Sequence, residues 1–224
     1  MPFLKLLNIW KSNKALEGIY SETGEMNKEC KRIFLLATES LINGEVIPLA
    51  EMADEDRKIN KYEVDIREKL LRYLAFTSAP NLSSTMILLN TVVSYERIGD
   101  YSKAVAGLGV NFPIDFKEES EYFRIITFIK DTIVKQFDLT YKGFMNSDPE
   151  KAKQVIESYQ GIKSLHEALV ARLGRDDKID NNSAIVYASL GIYMRRTGAH
   201  LKNICTSVLY PSAEFGFAHK EDIK

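Results

Sequence analysis

The sequence predicts an all-α protein made of two tandem three-helix bundles. Three observations carry this. Long segments have helical hydrophobic period, Val/Ile/Thr alternation of the kind strands use is missing from them, and the second half repeats the apolar pattern of the first. The six prolines fall outside these segments or at their starts, and Gly44, Gly109 and Gly174 stand in the turns. "NGEVIP" (43–48), "SAPN" (78–81), "GLGVNFPID" (107–115), "NSDP" (146–149) and "GRDDKIDNNS" (174–183) read as turns. Six helices are therefore expected, at about 14–43, 48–76, 82–108, 116–146, 149–173 and 182–209. Asn81 before "LSSTM" is a cap, and Ser147-Asp148 stands before Pro149, a residue suited to the first helical position.

The repeat appears when "LINGEVIPLAEMADEDRKIN" (41–60) is set over "FMNSDPEKAKQVIESYQGIK" (144–163) without gaps. Asn43 falls on Asn146, Ile59 on Ile162 and, upstream, Phe34 on Phe137. After a shorter loop, "YERIGDYSKAV" (95–105) lies over "MRRTGAHLKNI" (194–204), with Arg97 on Arg196, Gly99 on Gly198 and Lys103 on Lys202. The expected organisation is an N-terminal apolar segment (1–13), a first three-helix repeat (14–112), a second (113–210) and a C-terminal tail (211–224).

Composition narrows the function classes. The chain has 224 residues, is 45% hydrophobic and 27% charged, and belongs with globular proteins. A net charge of −1 and a pI of 6.4 give no electrostatic footprint for nucleic acid. Cys30 and Cys205 are far apart and lack zinc-site spacing, so they read as buried, reduced thiols in a cytoplasmic protein. No apolar run approaches the roughly 20 residues that span a bilayer. "MPFLKLLNIWKS" lacks the small-residue cleavage site of a signal peptide. Its Phe3, Leu4, Leu6, Leu7, Ile9 and Trp10 either dock on the body of the protein or meet a membrane surface or a partner.

Acids interrupt two apolar stripes. Leu82, Met86, Leu89, Val93, Glu96 and Asp100 step by fours and threes, as do Leu49, Met52, Asp56, Ile59, Glu63, Ile66, Leu70 and Tyr73. Glu96 and Asp100, four apart, stack two like charges on one helix face. Burying such a cluster is costly unless it is paired, solvated or neutralised by a cation. Asp and Glu oxygens with the Asn60 amide suit a hard or borderline divalent or ferric ion. The other reading leaves this end of the stripe at the surface, with Arg57, Arg97 and Lys103 pairing the acids.

"DEDRKINKYEVDIREKLLRYLAFTSAP" followed by "VVSYERIGDYSKAVAGL" resembles the PhoU family, bacterial and archaeal regulators of phosphate homeostasis. The resemblance runs from about 14 to 210 and is carried most strongly by Glu96-Arg97-Ile98-Gly99-Asp100, with Ile59-Asn60 and Pro80 also fitting. It implies two three-helix bundles side by side, with iron or zinc on the acidic helix pairs. By motif position it assigns Asp56, Glu96, Asp100 and Asn60 as metal ligands; Glu63 is added from the stripe. It also implies contact with a phosphate transporter or its sensor histidine kinase, and a homodimer. The expected location is the cytoplasm, with peripheral membrane contact through partners.

The second half departs from the motif. Tyr159 stands in place of Asp56, Lys163 of Asn60, Arg195 of Glu96, and Ala199 of Asp100. A second cation site is not expected there. Lys163 and Arg195 read either as a basic patch meeting an anion or an acidic partner, or as solvated surface.

The functional expectation is a non-enzymatic regulator of phosphate uptake, with one metal site in the first repeat only. The alternative is a metal-free adaptor docking at a membrane transporter. No nucleophile motif or phosphate-cradling glycine loop is present. A carboxylate-bridged metal enzyme would use Glu-x-x-His pairs, and none of His166, His200 and His219 has a Glu three residues before it. His166, in the place of Glu63, reads as a core or half-exposed histidine rather than a ligand.

Overall fold

Asn13 opens the first helix. Its side-chain oxygen accepts from the amides of Ala15 (3.0 Å) and Leu16 (3.3 Å), two donors that a helix start leaves unpaired. In the computed structural model, which describes residue 8 and residues 13–218, this helix (α1) runs Lys14–Ile42. It is followed by α2 (Leu49–Phe76), α3 (Leu82–Asn111), α4 (Glu121–Met145), α5 (Pro149–Leu173), α6 (Asn181–Leu209) and a 3-10 turn at Ser212–Glu214. No strand occurs among the described residues. The expected caps are in place: the Ser84 amide donates to Asn81 (2.8 Å), and Glu150 and Lys151 donate to Asp148 (3.0 and 3.1 Å) ahead of Pro149. Residues 3–10, with the apolar side chains singled out above, and His219 lie outside the described residues apart from Asn8.

Two boundaries differ from expectation. α3 continues through "GLGVN", because Leu108 is buried and the Asn111 side chain donates to the Gly107 carbonyl at 2.8 Å. Core contact here outweighs the poor helix propensity of two glycines. α4 begins at Glu121 rather than 116, where the Ser120 hydroxyl accepts from the Phe123 amide at 3.0 Å.

α1 packs on α3, α3 on α6, α6 on α4 and α4 on α1, while α2 covers α1 and α3, and α5 covers α4 and α6. The repeat is visible in this packing. Phe34 and Phe137, aligned in sequence, touch with ring centroids 5.7 Å apart; Tyr101 and His200, also aligned, do so at 5.8 Å. Equivalent residues meet each other only near a symmetry axis, so an internal pseudo-twofold passes between the two repeats. One apolar core spans both, including Met26, Phe34, Tyr95, Phe137 and Phe144. Cys30 and Cys205 are free and fully buried in it. Burial pushes both thiols up, Cys205 to about 12 against a hydrogen bond to Thr140, so neither is a reactive thiolate.

The α2 stripe is buried as expected from Met52 through Asp56, Ile59, Ile66, Leu70 and Tyr73, although Leu49 is exposed. The α3 stripe is not the core seam: Leu82 and Met86 are 65% and 51% exposed. α3 instead buries Ile87, Leu88, Val92, Tyr95, Ile98 and Val105. Wedged among α1, α2 and α6, it is apolar around most of its circumference, so periodicity could not select one face.

Candidate functional site

α2 and α3 bring the first-repeat acids together. Asp56 is almost wholly buried, 3% exposed. Its Oδ2 accepts from the Lys103 ammonium and, at 3.3 Å, from Asn60 Nδ2. Lys103 also donates to Asp100 Oδ1 at 3.2 Å, and Arg97 Nη1 donates to Asp100 Oδ2 at 3.1 Å. Arg97 Nε lies 3.4 Å from Glu96, and Arg67 pairs with Glu63 at 2.8 Å. Arg57 pairs with Asp54, outside the cluster. Gly99 has a packing role here: a Cβ would sit 3.1 Å from Asp56 Oδ1 and 3.3 Å from Ile59. The glycine of "ERIGD" thus lets α3 close onto α2 over the buried carboxylate. Asp56 Oδ1 has no hydrogen-bond partner among the described residues.

The electrostatics follow from this crowding. Burial raises the Glu96 carboxyl, and the Asp100 charge raises it further, with Arg97 opposing and Glu63 and Asp56 adding to the rise. Burial lowers Lys103, but its hydrogen bonds to Asp56 and Asp100 outweigh that, and the net shift is upward. All five residues expected at a metal are therefore neighbours, yet the positive charge between Asp56 and Asp100 is the protein's own. Among the described residues, no three His, Cys, Asp or Glu form a group arranged to hold a metal ion. As placed, Lys103 holds one oxygen each of Asp56 and Asp100, and Arg97 the other oxygen of Asp100, while Asp56 Oδ1 is left without a partner among the described residues. The α2 and α3 sequences show the acids plainly. That Lys103, three residues past Asp100, turns onto Asp56 is decided by α2–α3 packing.

The second repeat keeps the geometry and reverses the charge. A Cβ at Gly198 would meet Ile162 at 3.3 Å and Tyr159 at 3.5 Å, as one at Gly99 would meet Ile59 and Asp56. Lys202 sits over the Tyr159 ring (5.8 Å to the centroid) as Lys103 sits on Asp56, and it donates to the Gly216 carbonyl at 2.6 Å. Lys163 is exposed, with Glu167 at 4.0 Å. Arg195 is half-buried. His166 is 9% exposed, a core position, and neither ring nitrogen has a partner among the described residues. Burial lowers its pKa, Arg195 lowers it further, and Glu167 opposes. His200 is lowered to about 4 by burial and by Arg97, Lys202 and Arg196.

A sequence profile described as the PhoU domain matches residues 23–108 and again 126–208. No curated protein matches the chain. Among solved structures, the crystal structure of PhoU from Pseudomonas aeruginosa superposes with a TM-score of 0.79 at 20% identity, covering 88% of this chain and 97% of that one. The phosphate transport system regulatory protein PhoU from Streptococcus pneumoniae does so with a TM-score of 0.76 at 15% identity, covering 87% and 93%. The two profile matches fall on the two halves that share one packing scheme and meet at the pseudo-twofold, and on that ground the chain belongs to the PhoU family.

Proposed function

We propose that this protein is a non-enzymatic regulator of phosphate uptake or phosphate signalling, working by protein–protein contact. The partner class is a phosphate transporter or its sensor histidine kinase. The observation that carries the reading is the family match recurring over both repeats. The Streptococcus pneumoniae structure, named as a phosphate transport system regulatory protein, supports it through a shared fold. No helix among the described residues is long and apolar enough to cross a membrane, so a transporter would be met through a surface. The reading includes a cytoplasmic homodimer.

The Lys103 bridge favours the metal-free form of this function. Metal ligation by Asp56, Glu96 and Asp100 would set a cation beside the Lys103 ammonium, which already holds one oxygen of each Asp. Mass-spectrometric metal content of purified, tag-free protein tests this. Substoichiometric metal, unchanged by Glu96→Ala with Asp100→Ala, supports the metal-free form. Stoichiometric iron or zinc lost in that variant overturns it. The regulatory reading is tested separately by affinity capture from detergent-solubilised membranes of phosphate-starved and phosphate-replete cells. Enrichment of a phosphate transporter or histidine kinase supports it, and enrichment of neither under both conditions counts against it.

A further inference from the structure

α6 carries Arg195, Arg196, His200 and Lys202 and not one Asp or Glu. None of its three formal cations forms an ion pair with a described residue: Arg196 lies over the Tyr101 ring, Lys202 over the Tyr159 ring, and Arg195 makes no hydrogen bond or ion pair with any of them. In the first repeat the corresponding face is neutralised within the protein. A charge-inverted pseudo-equivalent of a closed ion-pair network, left open, is a place for a mobile anion.

The local geometry says where. A helical side chain leans toward its own N-terminus, so Arg195 leans over the turn that holds Gly191. The His166 ring is packed at the same turn: a Cβ at Gly191 would meet its Cδ2 at 3.1 Å and its Nε2 at 3.8 Å. Arg195 Nε is buried without a partner, as are both His166 ring nitrogens. A buried histidine carrying an unsatisfied donor and acceptor costs stability unless something completes it. Lys163 lies one turn before His166 on α5 and is held only by the exposed Glu167.

We propose that Arg195, Lys163 and His166 form an oxyanion site in the second repeat that takes a small free dianion of the phosphate class. Arg195 supplies a planar fork, Lys163 a point charge, and His166 a ring N–H from the buried side. Two cations balance two negative charges. Glu167 is the internal competitor that Lys163 releases on binding. This inference rests on the charge inversion and the unpartnered groups, and stands independently of the regulatory reading.

The test is a titration of ring-labelled-histidine protein with inorganic phosphate, read by NMR at constant ionic strength. The expected result is a saturable shift of the His166 ring, with His200 and His219 unmoved. Arg195→Met should weaken binding by about tenfold or more, and Lys163→Met by less, since Lys163 is exposed. Lys61→Met, at an exposed position of the other repeat, should leave it unchanged. No saturable His166 response up to on the order of 10 mM phosphate overturns the proposal. So does an equal response in Arg195→Met, or equal binding of acetate, which would make the site a carboxylate receptor for an acidic partner. Both substitutions remove a charge without cutting into the core, so folded protein is expected, and circular dichroism checks it.

Discussion

Where α3 closes onto α2, Gly99 passes over a buried carboxylate; where α6 closes onto α5, Gly198 passes over Ile162 and the ring of Tyr159. A lysine follows at the same offset in each, Lys103 donating to Asp56 and Asp100, Lys202 lying on Tyr159. The backbone approach is thus common to both repeats and the charge is not. The apolar contacts set how near two helices come, while the charged positions at the rim are free to diverge so long as each is paired, solvated or capped.

The largest expected difference between the repeats lies in the two lysines. Lys103→Met leaves Asp56 buried without its cation and should cost about 2–3 kcal/mol, below the range for a fully buried pair because Lys103 is itself 40% exposed. Lys202→Met removes a ring contact and one hydrogen bond from a cation that burial already disfavours, and should cost about 1 kcal/mol or less. Urea unfolding of both variants measures the gap. Equal losses would mean Asp56 does not depend on Lys103. Adding Asp56→Asn to Lys103→Met should recover more than half of the loss, since the uncompensated charge goes with it.

The glycines come next. Gly99→Ala presses on Asp56 and Ile59, and Gly198→Ala on Gln136 and Ile162, so each should destabilise by about 1–2 kcal/mol. Gly161→Ala, on an exposed face of α5 with nothing within 4 Å, should instead stabilise by about 0.5–1 kcal/mol. Thermal melts of the three variants separate close packing from helix propensity.

The turns after α1 and α4 offer a finer comparison. Gly44 and Ser147 occupy the same position in the two repeats with φ of +73° and +56°. Behind each, an amide reaches back to close the helix end: Glu45 to Ser40 at 2.8 Å and Asp148 to Gly143 at 3.0 Å. Ser147→Gly should therefore stabilise, and Gly44→Ala destabilise, each by about 1 kcal/mol. Changes of the same sign would show that the two turns differ in strain.

The smallest effect belongs to Glu96. Its folded pKa is raised, so the folded state holds this proton more tightly than the unfolded chain does. Stability must then fall as pH rises from the ordinary carboxylate range through the raised value. Glu96→Gln removes the penalty: it should raise Tm slightly at neutral pH and lose that advantage on acidification below about pH 4. A shift that grows on acidification would reverse the assigned sign.

Much of the molecule could be read from the chain because the relevant signals are local. Caps at Asn81 and Asp148 act within three residues, and the α2 stripe from Met52 to Tyr73 needs only helical spacing. α3 defeated the same method because three neighbouring helices bury most of its surface. Spacing and motif singled out Asp56, Asn60, Glu63, Glu96 and Asp100 on two helices; that Lys103 and Arg97, and not Arg57, pair with the acids depends on where α2 lies against α3. His166 gave no sign of standing unpartnered, because a buried polar atom without a partner is defined by what surrounds it in space.

By itself the sequence determined six helices, the caps at Asn81 and Asp148, the twofold repeat and the reversal of charge between its halves, since each follows from residue type and spacing along one chain. Tertiary structure decided that Asp56 is buried, that a lysine ammonium sits between the acids, and that the His166 ring is buried with no partner among the described residues. These are properties of neighbours supplied by other helices. Solvation and Coulomb energies depend on through-space distance, which helix packing sets and sequence separation does not.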